Sequence, residues 1–104
     1  MQRIARIYIN GEFVTPHGDE WFDLYNPSTE EVIGQVRLGD AQDARRAIAA
    51  AQAAFPAWSR TTREERIAAL HRMHRAVAAR EDELMEAILL EYGLIVQRAS
   101  RDDA

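Results

Sequence analysis

The feature that most constrains this chain is a change of hydrophobic period at Gly39-Asp40. Before that point apolar residues recur at every second position, and after it about every 3.6. A pleated strand and an α-helix are the backbones that gather such residues on one face. Residues 1–39 are therefore expected to form short β-hairpins and residues 40–93 helices, within a single segment whose last stretch, 94–104, has no clear period and reads as an incomplete tail. The 104 residues leave room for one domain and none for a second, catalytic one.

In the first third, Ile7 and Ile9 share one face of an extended run, and Asn10-Gly11 readily takes the positive φ angles of a type I′ turn. Glu12-Phe13-Val14 should fold back on that run. Thr15-Pro16-His17-Gly18-Asp19 is a loop by its proline and glycine, and Trp21 to Tyr25 reads as a further strand. Asn26-Pro27-Ser28-Thr29 makes a rigid corner, because proline fixes its own φ and biases Asn26 away from the helical region. Val32, Val36 and Leu38 then lie on one side of a last strand, with Gln35 and Arg37 on the other.

Asp40 has the character of an N-cap, and Asp43 adds negative charge to the first turn of the helix that follows. Ala41, Ala44, Ile48, Ala51 and Phe55 form its apolar stripe, whereas Gln42, Asp43, Arg45, Arg46 and Gln52 lie mostly away from it, and Pro56 is expected to end it. Thr62-Arg63-Glu64-Glu65 has the spacing of a capping box, opening a second helix whose face is Ile67, Leu70, Met73, His74 and Val77. A third run from about Arg80 to Tyr92 turns Leu84, Met85, Ile88 and Leu89 inward and stops at Gly93, a natural left-handed position. Strands followed by three helices give an α+β order. Short hairpins leave unpaired edges, which native proteins seldom expose, so chain from elsewhere or a second copy is expected to cover them.

Several chemistries are excluded by composition. A net charge of -4 offers no concentrated basic face for phosphates, so no nucleic-acid partner is expected. All 13 basic residues are arginines, which removes any lysine Schiff base. Without cysteine there is no disulfide, thiolate nucleophile or cysteine zinc site. Met1 to Arg6 lacks a long apolar stretch, and no apolar run approaches the ~20 residues of a membrane span, so no membrane partner and a cytoplasmic setting are expected.

The polar residues that remain read more simply as structure than as chemistry. His71 and His74 are three apart on a helix, within reach of one metal if both face outward, but no third ligand is evident. Glu81, Asp82, Glu83 and Glu86 suit the positive end of a helix dipole without any ligand. Gly11, Gly18, Gly34, Gly39 and Gly93 are scattered and compose no glycine-rich phosphate loop, and Ser28, Ser59 and Ser100 have no nucleophile-elbow context. Trp58 is either an exposed anchor or, more simply, a ring closing a helix onto a core.

Ile7-Tyr8-Ile9-Asn10-Gly11-Glu12-Phe13-Val14, Asn26-Pro27-Ser28-Thr29-Glu30-Glu31-Val32-Ile33, Gly39-Asp40 opening an alanine-rich helix, Phe55-Pro56-Ala57-Trp58, Arg63-Glu64-Glu65-Arg66 and Glu91-Tyr92-Gly93 follow one another in collinear order. Together they resemble the start of the aldehyde dehydrogenase superfamily. The resemblance implies the first part of an α/β cofactor domain, in a family that oxidises aldehydes to carboxylic acids with NAD or NADP. There a cysteine attacks the carbonyl and a glutamate activates water. That cysteine, that glutamate, the oxyanion asparagine and the glycine-rich cofactor loop all belong downstream of the matched region, so no catalytic or cofactor-binding residue is expected here and neither cofactor should bind this chain alone.

The resemblance implies one site, a structural monovalent cation held by the backbone carbonyl of Leu24 and the carboxylate of Glu91. Such oxygen ligands suit a hard cation. Glu91 stands where the family often has aspartate, and Leu94-Ile95-Val96 departs from the small residue and proline usual after the glycine. Two readings follow. The chain is an N-terminal scaffold fragment of an NAD(P)-dependent aldehyde dehydrogenase, partnered by the remainder of the dehydrogenase chain and not competent alone. Alternatively, it is a free-standing α+β interaction module that self-associates through its strand edges.

Overall fold

A computed structural model describes residues 2–93; Leu94-Ile95-Val96, the tail at 94–104 and Ser100 lie outside the described residues. Five strands, β1 (Gln2–Ile4), β2 (Ile7–Ile9), β3 (Glu12–Val14), β4 (Trp21–Tyr25) and β5 (Val32–Arg37), precede three helices, α1 (Ala41–Ser59), α2 (Arg63–Ala79) and α3 (Glu81–Tyr92). The α+β order read from the change of period is the order observed. Two compact units result: one is the chain up to Leu24 with Gly34–Thr62, the other Tyr25–Ile33 with the chain from Arg63.

In the first unit β2 and β3 form an antiparallel hairpin in the register Ile7↔Val14, Tyr8↔Phe13, Ile9↔Glu12. Its turn is the expected one, with Asn10 at φ 55 and Gly11 at φ 77. The Tyr8 and Phe13 rings meet edge to face at 5.0 Å, a cross-strand pair that stiffens the ladder. The other sheet has the order β1-β5-β4. Its outer strand β1, unmarked by any period in the sequence, runs parallel to β5 with Gln2 opposite Gly34 and Ile4 opposite Val36. Gly34 is required for that approach, since a Cβ there would lie 2.7 Å from the Gln2 carbonyl oxygen. Arg3 stacks over the Trp21 ring at 4.3 Å, tying the outermost strands of the sheet to each other.

Helix α1 begins at the expected place and departs from expectation in two ways. Asp40 is the N-cap in a full capping box with Asp43. Pro56, however, lies inside the helix, which continues to Ser59. Proline lacks the N–H that would bond the Gln52 carbonyl one turn back and its ring crowds that carbonyl; the cost is confined to that turn, and the helix runs three residues beyond Pro56. The last turn is secured independently: Ser59 Oγ donates to the Pro56 carbonyl at 2.8 Å, and Thr61 Oγ1 to the Trp58 carbonyl at 2.7 Å.

The second departure concerns the packed face. The side chains turned to the hairpin are Ala47, Ala50, Ala51 and Ala54, which with Tyr8, Ile9, Asn10 and Gly11 line a hollow of about 400 Å³. The stripe that carries the large residues is a neighbouring face, and its Ile48 and Phe55 are 65% and 67% exposed. Asp43, expected to lie away from the packed side, is on it and is only 5% exposed.

In the second unit Asn26 caps its corner by accepting the Ser28 N–H on Oδ1 at 2.9 Å, and backbone bonds Asn26 N to Glu31 O and Glu30 N to Asn26 O close the turn. Helix α2 opens directly after Thr62, as its spacing predicts. Helix α3 starts one residue after Arg80, whose guanidinium pairs with Glu83 at 2.7 Å, and ends on Gly93 at φ 66. A side chain at Gly93 would meet Ser28 Oγ at 2.5 Å and Pro27 Cγ at 3.0 Å, so glycine serves here both the left-handed backbone and the close seating against the proline corner.

Candidate functional site

The most enclosed polar arrangement among the described residues is the place where the 15–20 loop is fastened to the start of α1. Pro16, Gly18 and Asp43 are all buried there. Asp43 accepts the N–H groups of His17 on Oδ1 at 2.8 Å and of Gly18 and Asp40 on Oδ2 at 3.0 and 2.8 Å. Asp40 returns the favour to the helix by accepting the Asp43 N–H at 3.1 Å, and its other carboxylate oxygen meets His17 Nδ1. From β5, Arg37 grips the same loop through its carbonyls, Nε to Gly18 O at 2.7 Å and Nη2 to Pro16 O at 3.1 Å. Leu38 N donates to Glu20 O at 2.8 Å, which closes the loop at its far end.

The electrostatics follow from these contacts. N–H groups of Gly18, His17 and Asp40, in that order of weight, hold the Asp43 carboxyl well below the usual carboxylate range. The Asp40 carboxylate against its ring raises the pKa of His17 above the ordinary imidazole value of 6.5. Asp43 has its oxygens committed to backbone donors, and the hydrogen bonds of the cluster hold the loop to the start of α1.

Close-approach glycines also argue against a nucleotide here. A glycine cradle leaves room for a phosphate, but the space beside these glycines is occupied by the chain itself. A Cβ on Gly18 would meet Leu38 O at 2.5 Å, on Gly34 the Gln2 carbonyl oxygen, and on Gly39 the Asp43 side chain at 3.3 Å. The space beside Gly18, Gly34 and Gly39 is therefore no phosphate cradle.

The other residues singled out in the sequence lie on several elements. Leu24 lies half-buried on β4, in the first unit, and Glu91 lies exposed in the last turn of α3, in the second. His71 and His74 are exposed on α2, and no group of three or more His, Cys, Asp or Glu able to hold a metal occurs among the described residues. Glu81, Asp82 and Glu83 occupy the first turn of α3, where they complement its dipole. Trp58 is 53% exposed at the end of α1. No helix among the described residues is long and apolar enough to cross a membrane.

What the sequence did not announce is how little of its apolar surface this chain covers by itself. Apart from Pro16 in the loop, Ile9 is the one buried apolar side chain among the described residues, while Ile48 and Phe55 on α1, Leu70, Met73 and Val77 on α2 and Leu84, Ile88 and Leu89 on α3 are all exposed. Those are the periodic positions read as inward-facing. The periodicity is real, and these faces stay uncovered among the described residues.

The profile of the aldehyde dehydrogenase family matches residues 13–104. The chain is 42% identical over 93 residues to lactaldehyde dehydrogenase of Escherichia coli, covering 89% of this chain and 19% of that protein. It is 36% identical to a 3-succinoylsemialdehyde-pyridine dehydrogenase of Pseudomonas, with 89% and 20% covered. Its fold superimposes on an aldehyde dehydrogenase of Bartonella henselae with a TM-score of 0.90 at 30% identity, over 95% of this chain and 21% of that one. A mutant of aldehyde dehydrogenase C from Pseudomonas syringae, in complex with NAD+ and octanal, superimposes with a TM-score of 0.79 at 41% identity, over 82% and 18% of the two chains. The chain thus spans about a fifth of the length of the relatives it matches.

Proposed function

This chain belongs to the aldehyde dehydrogenase family, as its N-terminal segment, and from that premise we propose that it supplies scaffold to the cofactor domain of an NAD(P)-dependent enzyme that oxidises an aldehyde to a carboxylic acid. In that enzyme the segment positions and supports, and the reacting groups come from other parts of the chain. The observation that carries the reading is the exposure of the periodic apolar faces of α1, α2 and α3. Each large side chain on them would contribute about 1.5–3 kcal/mol on being covered. The absence of cysteine from all 104 residues supports the same reading, because the family's chemistry runs through a thiolate. The cofactor assignment rests on the family, and the compartment we assign with it is the cytoplasm.

Two further elements of the proposal rest on the resemblance. Residues 1–39 and 40–93 act as one segment of a larger domain. The Leu24 carbonyl and the Glu91 carboxylate serve as oxygen donors to a monovalent cation, and the place of Glu91 at the negative end of the α3 dipole favours a cation.

The test uses the uncovered faces. In the whole dehydrogenase, Ile48→Ala and Phe55→Ala should each lower the unfolding midpoint by several degrees. The same changes in the 104-residue chain should leave amide exchange around Asp43 as it was. Equal effects in both settings would defeat the scaffold reading. The isolated chain should also bind a hydrophobic dye and elute over a broad size range; a sharp dimer with one cooperative unfolding transition would instead support the self-associating module.

A further inference from the structure

We propose that His17, Asp40 and Asp43 form a pH-sensitive latch that fastens the 15–20 loop to the start of α1 and loosens it when the imidazole loses its proton. The loop is held through His17 twice. Its backbone N–H is bound by Asp43, and its ring Nδ1 lies within hydrogen-bonding distance of the Asp40 carboxylate. Both acids belong to one capping box, so ring, cap and loop share a single set of oxygens. A neutral imidazole can keep a hydrogen on Nδ1 and hence the hydrogen bond, but it gives up the charge that complements two carboxylates.

The charged groups around the ring set its sign. Asp40 and Asp43 face it from α1 and Asp19 from its own loop, all three favouring the imidazolium. Arg45 and Arg46 of α1 line the hollow that His17 shares with Thr15, Pro16 and Gln42. Arg37 of β5 is engaged with the carbonyls of Pro16 and Gly18. Acids in direct contact outweigh arginines along an open rim, where solvent screens the charge. Because the folded value is raised above 6.5, the contribution is complete below 6.5 and is lost as pH rises through the higher, folded midpoint.

The experiment reads the ring and the loop separately in the full chain. Histidine-selective NMR titration of the wild type should place the His17 midpoint above 6.5. Asp40→Asn, which keeps a good N-cap but removes its charge, should bring that midpoint down. Protection of the Gly18 amide, corrected for intrinsic exchange, should decline in the wild type as pH passes the His17 midpoint and stay level over the same range in His17→Gln. A His17 that titrates at the ordinary value in the wild type overturns the latch, whether the contact or the fold is lacking. So does a midpoint that Asp40→Asn leaves in place, or a pH-dependent Gly18 amide that survives His17→Gln.

Discussion

Gly18→Ala is the change that most directly probes the fastening of the loop to α1. An ideal Cβ at that position stands 2.5 Å from the Leu38 carbonyl oxygen, 3.0 Å from Asp40 N and 3.1 Å from Gly39 C. All three are backbone atoms, and none can swing aside as a flexible side chain would. Restoring ordinary van der Waals contact with Leu38 O requires a retreat of roughly 0.9 Å. The loop has no freedom for it: Gly18 N is bound to Asp43, Gly18 O to Arg37, and Glu20 O to Leu38 N. Retreating lengthens the 3.0 Å bond to Asp43 beyond useful range. Overpacking of this kind costs about 1–3 kcal/mol, which in a local opening equilibrium means protection reduced by about fivefold to about 150-fold. Hydrogen exchange read at His17, Gly18 and Asp43 measures that directly and does not require cooperative global unfolding. Gly11→Ala is the control, since a Cβ there meets nothing within 4 Å and its strain stays in the β2–β3 turn. If Gly18→Ala leaves protection at those amides within twofold of the wild type, the packing described for this loop is wrong.

Three other outcomes follow. Gly93→Ala forces a left-handed backbone on alanine and a Cβ into Ser28 Oγ, so the end of α3 should lose about 1–2 kcal/mol of local stability by exchange, and Ser28→Gly should restore the steric part only. Glu30→Gly relieves a non-glycine φ of 61 and should raise protection of the Glu30 and Asn26 amides by up to about fivefold, a gain limited by the added freedom of the unfolded chain. Because Asp43 is depressed in the folded state, its contribution is complete above its unfolded value near 3.8 and is lost as pH falls through the folded one, so acid should release the 15–20 loop only at strongly acidic pH. Asp43→Asn should abolish that acid dependence while lowering loop protection at neutral pH; an unchanged acid profile would refute the assigned role.

The resemblance in the sequence was carried by local signals, and those are the ones the structure bears out. Asn10-Gly11 turns a hairpin, Asp40 caps a helix and Gly93 ends one, each through backbone geometry within a few residues. Pro56 does not end α1 because proline disturbs the turn before it, while the residues after it keep their N–H groups and Ser59 and Thr61 add side-chain bonds to the carbonyls of Pro56 and Trp58. The loop fastening was missed although its parts were in view. Asp at the third helical position reads as a dipole partner, and nothing local tells that its carboxylate will collect the N–H groups of residues 25 and 26 positions earlier.

Taken alone, the sequence determined the kind and order of elements from Ile7 onward, the turns and caps between them, and the absence of lysine and cysteine chemistry, because all of these depend on neighbouring residues or on composition. Three matters waited for the tertiary structure. They are the parallel pairing of β1 with β5, the burial of Asp43 under a distant loop, and the choice between two apolar faces of α1. Periodicity shows that a face is apolar but not what will cover it. Here the alanine face is turned to the hairpin across a shallow hollow, and the face bearing Ile48 and Phe55 stays exposed.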